Sequence, residues 1–127
     1  MYQQNIYIGN LGNDPEMKYT PSGQAVTKFS LAVNREYNTA DGQHVKEVMW
    51  LRISAWGKLA EVCQQYLAKG SRVLVEGRFS PDKETGGPRI WTDKSGKAHA
   101  DYELTASVVR FLSESKKQAE DPGVPDF

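Results

Sequence analysis

Hydrophobic and polar residues alternate along several segments of the chain, which is the pattern of half-buried β-strands. The clearest segment runs from Ala25 to Asn34, where Thr27, Phe29, Leu31 and Val33 share one face of the predicted strand. An earlier apolar stretch, Ile6 to Leu11, contains glycines that bend a strand, and Asp14-Pro15 then breaks it. We therefore predict two strands before residue 35.

A third alternating segment runs from about Val45 to Trp56, and Gly57 ends it. Apolar residues then recur at helical spacing from Leu59 to Leu67. Gly70 follows, and glycine suits the left-handed position after a helix. This pattern predicts one amphipathic helix of about three turns between the third and fourth strands.

The fourth strand is predicted from Val73 to Phe79 and the last from Ala98 to Leu112, separated by a polar, Pro- and Gly-rich loop over residues 80–88. In the last strand, alternation assigns four residues to one face: Tyr102, Leu104, Ala106 and Val108. From Ser113 onward the periodicity is lost. The chain of 127 residues therefore divides into one domain, residues 1–112, and a short flexible tail, residues 113–127.

The order of the elements is three strands, one helix, then two or more strands. This order matches an all-β, five-stranded Greek-key OB-fold barrel with one α-helix between strands three and four. An SH3-like barrel is the main alternative, but it lacks a helix of this length at this point.

The third strand carries an unusual set of outward side chains. Leu51, Ile53 and Ala55 fill one face, which leaves Trp50, Arg52, Ser54 and Trp56 on the other. Indole rings about 20 Å apart or less, with a guanidinium between them, suit bases stacked on the rings and phosphates on the cation. The alternative is that a second layer, such as another subunit, buries both tryptophans. Alternation alone leaves both interpretations open.

Other aromatic residues have cations beside them. Trp91 lies in a polar region near Arg89, and Tyr37 lies near Arg35 at the end of the second strand. DNA contact and local packing are both possible for each ring. Three lysines could add phosphate contacts or could simply be solvated: Lys46, Lys58 and Lys69.

The net charge of zero hides an uneven distribution. Three of the 16 acidic residues, Glu120, Asp121 and Asp126, fall in the last eight positions, which contain no basic residue. The preceding part carries 16 basic and 13 acidic residues, a net charge of +3. A mildly basic domain with an acidic tail is compatible with a polyanionic partner.

The remaining chemistry favours no enzyme, cofactor or metal. Cys63 falls on the apolar side of the helix and is predicted to be a buried, inert thiol. His44 and His99 lack a second cysteine or a carboxylate at ligand spacing, so a zinc site is not expected. Scattered carboxylates argue against an OB-fold nuclease. One cysteine and no signal or membrane-spanning segment indicate a soluble protein of the reducing cytoplasm.

Several blocks of sequence resemble the bacterial single-stranded DNA-binding protein family, in register over about residues 4 to 112. The matching blocks, in order, are Gly9-Asn10-Leu11-Gly12, Asp14-Pro15-Glu16, Pro21-x-Gly23, Trp50 through Gly57-Lys58-Leu59-Ala60-Glu61, Tyr66-Leu67-x-Lys69-Gly70, Val75-Glu76-Gly77 and Trp91-x-Asp93. The resemblance implies a homotetramer of OB folds. It also implies sequence-independent binding and protection of single-stranded DNA during replication, recombination and repair.

The resemblance also implies roles for particular residues. The stacking positions correspond to Tyr37, Trp50, Trp56 and Trp91, and the phosphate-contacting positions to Arg52, Lys58 and Lys69. In the family an acidic C-terminal tip recruits replication and repair proteins, which implies partner binding by Asp126 and Phe127. An alternative in the interaction class is an OB-fold adaptor that mainly holds protein partners.

Three features depart from the family pattern. Tyr37 and Trp56 are aromatic exchanges relative to the best-known members, in which these positions are often Trp and Phe, so stacking should persist with altered strength. The segment Glu84 to Arg89 lengthens the loop before Trp91. The Gly-, Pro- and Gln-rich linker that precedes the acidic tip in the family is almost missing here.

Overall fold

A computed structural model describes residues 1–113. Residues 114–127 of the predicted tail, including Asp126 and Phe127, lie outside the described residues. The elements, in chain order, are β1 (Asn5–Leu11), β2 (Glu16–Tyr19), β3 (Ala25–Asn38), β4 (His44–Trp56), α1 (Lys58–Tyr66), β5 (Arg72–Phe79), β6 (Arg89–Thr92) and β7 (Ala98–Phe111).

Five of the strands close into a barrel. β1 pairs with β3, β3 with β4, β4 with β7, β7 with β5, and β5 again with β1. The β4–β7 pairing is parallel, and the other four are antiparallel. The short strands β2 and β6 add to this ring by pairing with β3 and β7. The closed barrel, with α1 after its third strand, confirms the predicted OB fold.

The barrel interior is filled by the apolar side of each strand. Leu31, Leu51, Ile53 and Val75 are at most 1% exposed, which confirms the alternation predicted for β3 and β4. Thr27 is also fully buried, and its hydroxyl donates a hydrogen bond of 2.6 Å to the carbonyl of Ala60. This bond joins β3 to α1 and satisfies a polar group in the core.

The helix is shorter than its hydrophobic pattern predicts. α1 ends at Tyr66, and Leu67 is already extended, with φ −101° and ψ 153°. Leu67 remains 1% exposed, so an extended residue supplies the last apolar position that was assigned to the helix. Gly70 does adopt a left-handed φ of 91°, but in the following turn, where its N–H donates to the carbonyl of Leu11. The prediction that Gly70 caps the helix is wrong.

A β-bulge interrupts the alternation of β7. Glu76 faces Val108 whereas Gly77 faces Ala106, so Ser107 is the extra residue. The bulge exchanges the two faces of β7: Leu104 and Ala106 are buried before it, whereas Val109 and Phe111 pack against the core after it. The assignment of Val108 to the same face as Leu104 is therefore wrong.

The sequence pattern did not predict β2 or β6. Each has four residues and pairs along its length with a longer strand, β3 or β7. Four residues are too few for periodicity to distinguish a strand from a loop. Among residues 1–113, no helix has the length and apolar content needed to cross a membrane.

Candidate nucleic-acid interface

The outward side chains of β4 belong to one continuous surface of the sheet. Arg52 faces Ser30 of β3 on one side and Glu103 of β7 on the other. Directly paired residues point to the same side of a sheet, and so do residues two apart in a strand. Trp50, Arg52 and Trp56 therefore share a surface with Ser30 and Glu103, which we call the outer face.

The outer face continues onto β6. Asp101 lies two residues before Glu103 in β7 and pairs with Arg89, and His99 pairs with Trp91. By the same alternation, Arg89 and Trp91 lie on the outer face. The sheet thus brings together five aromatic or cationic residues from two strands that are more than thirty positions apart in sequence.

Both tryptophans of β4 are open to solvent within the described chain. The exposed fraction is 52% for Trp50 and 39% for Trp56, whereas Leu51 and Ala55 between them are fully buried. This confirms that the indoles lie on the side opposite the core. Trp50 and Trp56 are six positions apart in the strand, which separates them by roughly 20 Å, a distance that several stacked bases can span.

One side of the Trp50 ring rests on the loop between β1 and β2. A Cβ atom added to Gly12 would lie 2.5 Å from Cζ3 of Trp50 and 2.9 Å from the Ser30 hydroxyl. The side chain of Asn13 holds this loop in place, because its Oδ1 accepts hydrogen bonds from the Ser30 N–H and hydroxyl at 2.8 and 2.6 Å. The missing side chain of Gly12 thus provides the space that the Trp50 indole occupies.

We expect Gly12→Ala to weaken binding of single-stranded DNA by about 1 kcal/mol, part of the 1–3 kcal/mol that stacking on one ring contributes. The added methyl group would push the Trp50 ring off the loop. The measurement is a titration with oligo(dT), with the melting temperature recorded for each protein. Gly87→Ala is the control, since its Cβ would have its nearest contact at 3.7 Å. Equal affinity of the wild type and Gly12→Ala would contradict this role.

Trp91 lies in β6, a strand that the sequence pattern does not predict for the polar region around this residue. The Trp91 indole stacks on the His99 imidazole, with ring centroids 4.6 Å apart and planes 21° apart. Its Nε1–H donates a hydrogen bond of 2.8 Å to Oδ2 of Asp101. Local packing therefore covers one side of the ring, and only the other side is left for a base.

The same Asp101 oxygen also attracts two arginines. Nη1 of Arg89 lies 3.1 Å from Oδ2 and Nη1 of Arg52 lies 3.8 Å from it. We call Asp101, Arg52, Arg89 and Trp91 the Asp101 cluster. The cluster connects β4, β6 and β7 on the outer face.

A groove of about 590 Å³ runs along the outer face beside this cluster. Its charged lining contains four cations and two carboxylates: Lys18, Lys28, Arg52, Arg89, Glu16 and Glu103. The excess of positive charge suits a polyanion. Lys18, Lys28 and Arg89 were not selected as site residues from the sequence. Lys28 could have been found, because alternation already placed it on the outward side of β3, whereas Lys18 and Arg89 lie in the two strands that were not predicted.

Tyr37 is not brought together with the tryptophans. It pairs with Val45, and alternation places it on the side of the β3–β4 hairpin opposite to Trp50. The Arg35 guanidinium lies over its ring, 4.5 Å from the centroid, and its hydroxyl donates to Glu47 at 3.2 Å. Tyr37 therefore already packs against a cation in the free protein.

The candidate lysines lie at the edges of this surface. Lys58 is exposed at the first residue of α1, directly after Trp56-Gly57. Lys69 is also exposed, and its backbone N–H donates to Asp14 at 2.8 Å, which ties it to the loop that carries Gly12. Lys46 instead lies 3.7 Å from the carboxylate of Glu36.

The cysteine and the two histidines are buried or paired with a nearby carboxylate. Cys63 is fully buried, as predicted, and burial raises the pKa of its thiol to about 12. The histidines each lie near one carboxylate: His44 is 3.7 Å from Glu36, and His99 is 2.7 Å from Asp93. Hydrogen bonds, first from the Ser95 hydroxyl and then from His99, lower the pKa of Asp93 to about 2. Residues 1–113 contain no group of three or more side chains able to hold a metal ion.

A closed OB barrel that exposes two indoles beside a cation-lined groove has the surface typical of OB-fold proteins that bind single-stranded nucleic acid. Comparison with known proteins then identifies the particular family. The model of the single-strand binding protein family matches residues 2–112, and the chain belongs to that family. The resemblance found in the sequence is confirmed.

Similar proteins include single-stranded DNA-binding proteins of Wolinella succinogenes and Helicobacter hepaticus, each 38% identical over 88% and 96% of this chain. A third, from Chlorobaculum tepidum, is 44% identical over 84%. The matched region spans 65%, 68% and 62% of these relatives' own lengths, in the same order. Among solved structures, a Plasmodium falciparum SSB complex with ssDNA matches with a TM-score of 0.69 and 25% identity, over 89% of this chain and 96% of that one.

Proposed function

We propose that this chain binds single-stranded DNA without sequence preference, by stacking bases on Trp50 and Trp56 while cations of the outer face contact phosphates. The observation that carries the proposal is the exposure of both indoles beside a groove lined by four cations. The names of the relatives and the DNA complex of the structural neighbour support it. Every base has a π-face, so stacking is tolerant of sequence.

A fluorescence titration tests this proposal. Oligo(dT) should quench tryptophan emission, and single strands of mixed sequence should bind with nearly the same affinity. Duplex DNA of the same length should bind far more weakly, because paired bases cannot reach the rings. Equal affinity for the duplex and the single strand would show that stacking is not the mechanism.

The biological setting that we propose is protection of single-stranded DNA during replication, recombination and repair, in the cytoplasm and without catalysis. Family membership supports the DNA-binding part. A nuclease would convert a labelled single strand to fragments when Mg²⁺ is added. We expect the labelled strand to remain intact over the duration of a binding experiment.

We also propose that the chain forms a homotetramer, in which β1 contributes to a contact between copies. Within the part of the chain that the structure describes, residues 5–9 of β1 pair with β5 alone. Ile6 and Ile8 on this strand are 47% and 51% exposed. An open strand edge next to exposed isoleucines favours pairing with another β1. The mass in solution, measured by light scattering, should be that of four chains, and a monomeric mass would exclude this proposal.

The tail prediction concerns residues outside the described part. Because acidic residues near the groove would compete with phosphates, deletion of Glu120 to Phe127 should leave DNA affinity unchanged or raise it slightly. The deleted protein should lose the protein partners proposed for Asp126 and Phe127, as measured by pull-down with replication and repair proteins. A large loss of DNA affinity after deletion would contradict this assignment.

A further inference from the structure

One carboxylate oxygen on the outer face has three positively polarised or charged neighbours. Oδ2 of Asp101 accepts the indole N–H of Trp91 at 2.8 Å and lies 3.1 Å from Arg89 and 3.8 Å from Arg52. The Asp101 side chain is only 15% exposed, whereas the Arg89 and Arg52 side chains are 47% and 57% exposed. The carboxylate is therefore set into the surface, and both guanidiniums remain accessible above it.

This geometry has two physical consequences. A guanidinium binds carboxylates and phosphates with the same planar set of donors, so Asp101 occupies the arginines in the way that a backbone phosphate would. The hydrogen bond to Asp101 also fixes the edge of the Trp91 indole, while His99 covers one side of the ring. The orientation of the open side of Trp91 thus depends on Asp101.

We propose that Asp101 is a positioning residue of the DNA site. In the free protein it holds Arg52 and Arg89 next to each other and keeps the Trp91 ring in place. When single-stranded DNA binds, its phosphates replace Asp101 as the partners of the two guanidiniums. Asp101 then retains its hydrogen bond to the Trp91 indole. This inference rests on the proposed binding of single-stranded DNA. It adds to that proposal that the carboxylate of Asp101 competes with DNA phosphates for Arg52 and Arg89.

Asp101→Asn tests the competition, because asparagine keeps an oxygen for the Trp91 N–H but removes the negative charge. We expect oligo(dT) to bind several-fold more tightly at low salt. The slope of log K against log[salt] should stay close to that of the wild type, because the two arginines contact phosphates in both complexes. Glu84→Gln is the control, since it removes one carboxylate from the neighbouring exposed loop, outside the Asp101 cluster. A purely structural Asp101 would alter the melting temperature and leave the affinity for oligo(dT) unchanged.

A second measurement tests positioning without DNA. In a protein with Trp50→Phe and Trp56→Phe, Trp91 is the remaining tryptophan and reports on its own surroundings. Asp101→Ala in this background should shift Trp91 emission to the red, and Asp101→Asn should not. Unchanged emission in Asp101→Ala would overturn the positioning role. If wild-type protein binds oligo(dT) but Asp101→Asn and Glu84→Gln bind it with the same affinity, the competition is overturned while the proposed function stands. Failure of wild-type protein to bind would overturn the proposed function itself and, with it, the competition.

Discussion

Replacing both Trp50 and Trp56 with alanine is expected to weaken oligo(dT) binding by about 2–6 kcal/mol, because each stacked base contributes about 1–3 kcal/mol. This corresponds to a loss of affinity between about thirtyfold and 10⁴-fold. The barrel should stay folded, since the side chains are 52% and 39% exposed and the core lies on the other side of β4. The measurement is equilibrium binding by fluorescence anisotropy of a labelled strand, which does not depend on tryptophan emission.

Tyr19→Ala provides the matched control for this experiment. Tyr19 is another exposed aromatic residue, 62% accessible, but it pairs with Ala25, and alternation places it on the side of β2 opposite to Lys18 and the groove. Its removal should change DNA affinity by less than threefold. If Trp50→Ala/Trp56→Ala instead keeps its affinity and changes the mass in solution, the two rings belong to a contact between copies.

The parts of the fold that could be predicted are those in which burial repeats with a fixed period. A strand with one side on the core and one on solvent must alternate apolar and polar residues, as β3 and β4 do. This alternation alone assigns Leu51 and Trp50 to opposite faces. The same pattern identified the exposed indoles as unusual. The closed barrel followed from the order of strands and helix.

The parts that could not be predicted depend on contacts between distant segments. The bulge in β7 lies where β5 crosses it closely, since a Cβ atom on Gly77 would come within 2.1 Å of the Thr105 carbonyl oxygen. The hydrophobic pattern of β7 alone does not indicate this close approach of β5. Likewise, the position of Trp91 depends on its pairing with His99 across a short hairpin. The Asp101 cluster draws on three strands, and its members are unremarkable when read singly along the chain.

The prediction with the largest effect on stability concerns the residue beside Trp50. Leu51 is fully buried in the core cluster, so Leu51→Ala should lower the free energy of unfolding by about 2–5 kcal/mol through lost burial and the cavity left behind. Urea unfolding measures this loss, and Val48→Ala is the control, because Val48 is 52% exposed on the same strand and should change stability by less than about 0.5 kcal/mol.

Leu51→Ala should nevertheless bind oligo(dT) with wild-type affinity per folded molecule, because its side chain points away from the outer face. Neighbouring substitutions on β4 would then have separate effects: loss of stability at position 51 and loss of DNA binding at positions 50 and 56. This separation follows from the alternation of a single strand that lines the core with one face and exposes the proposed DNA-binding residues on the other. A Leu51→Ala protein that remained folded but lost DNA affinity as severely as the double tryptophan variant would show that the two faces are not independent.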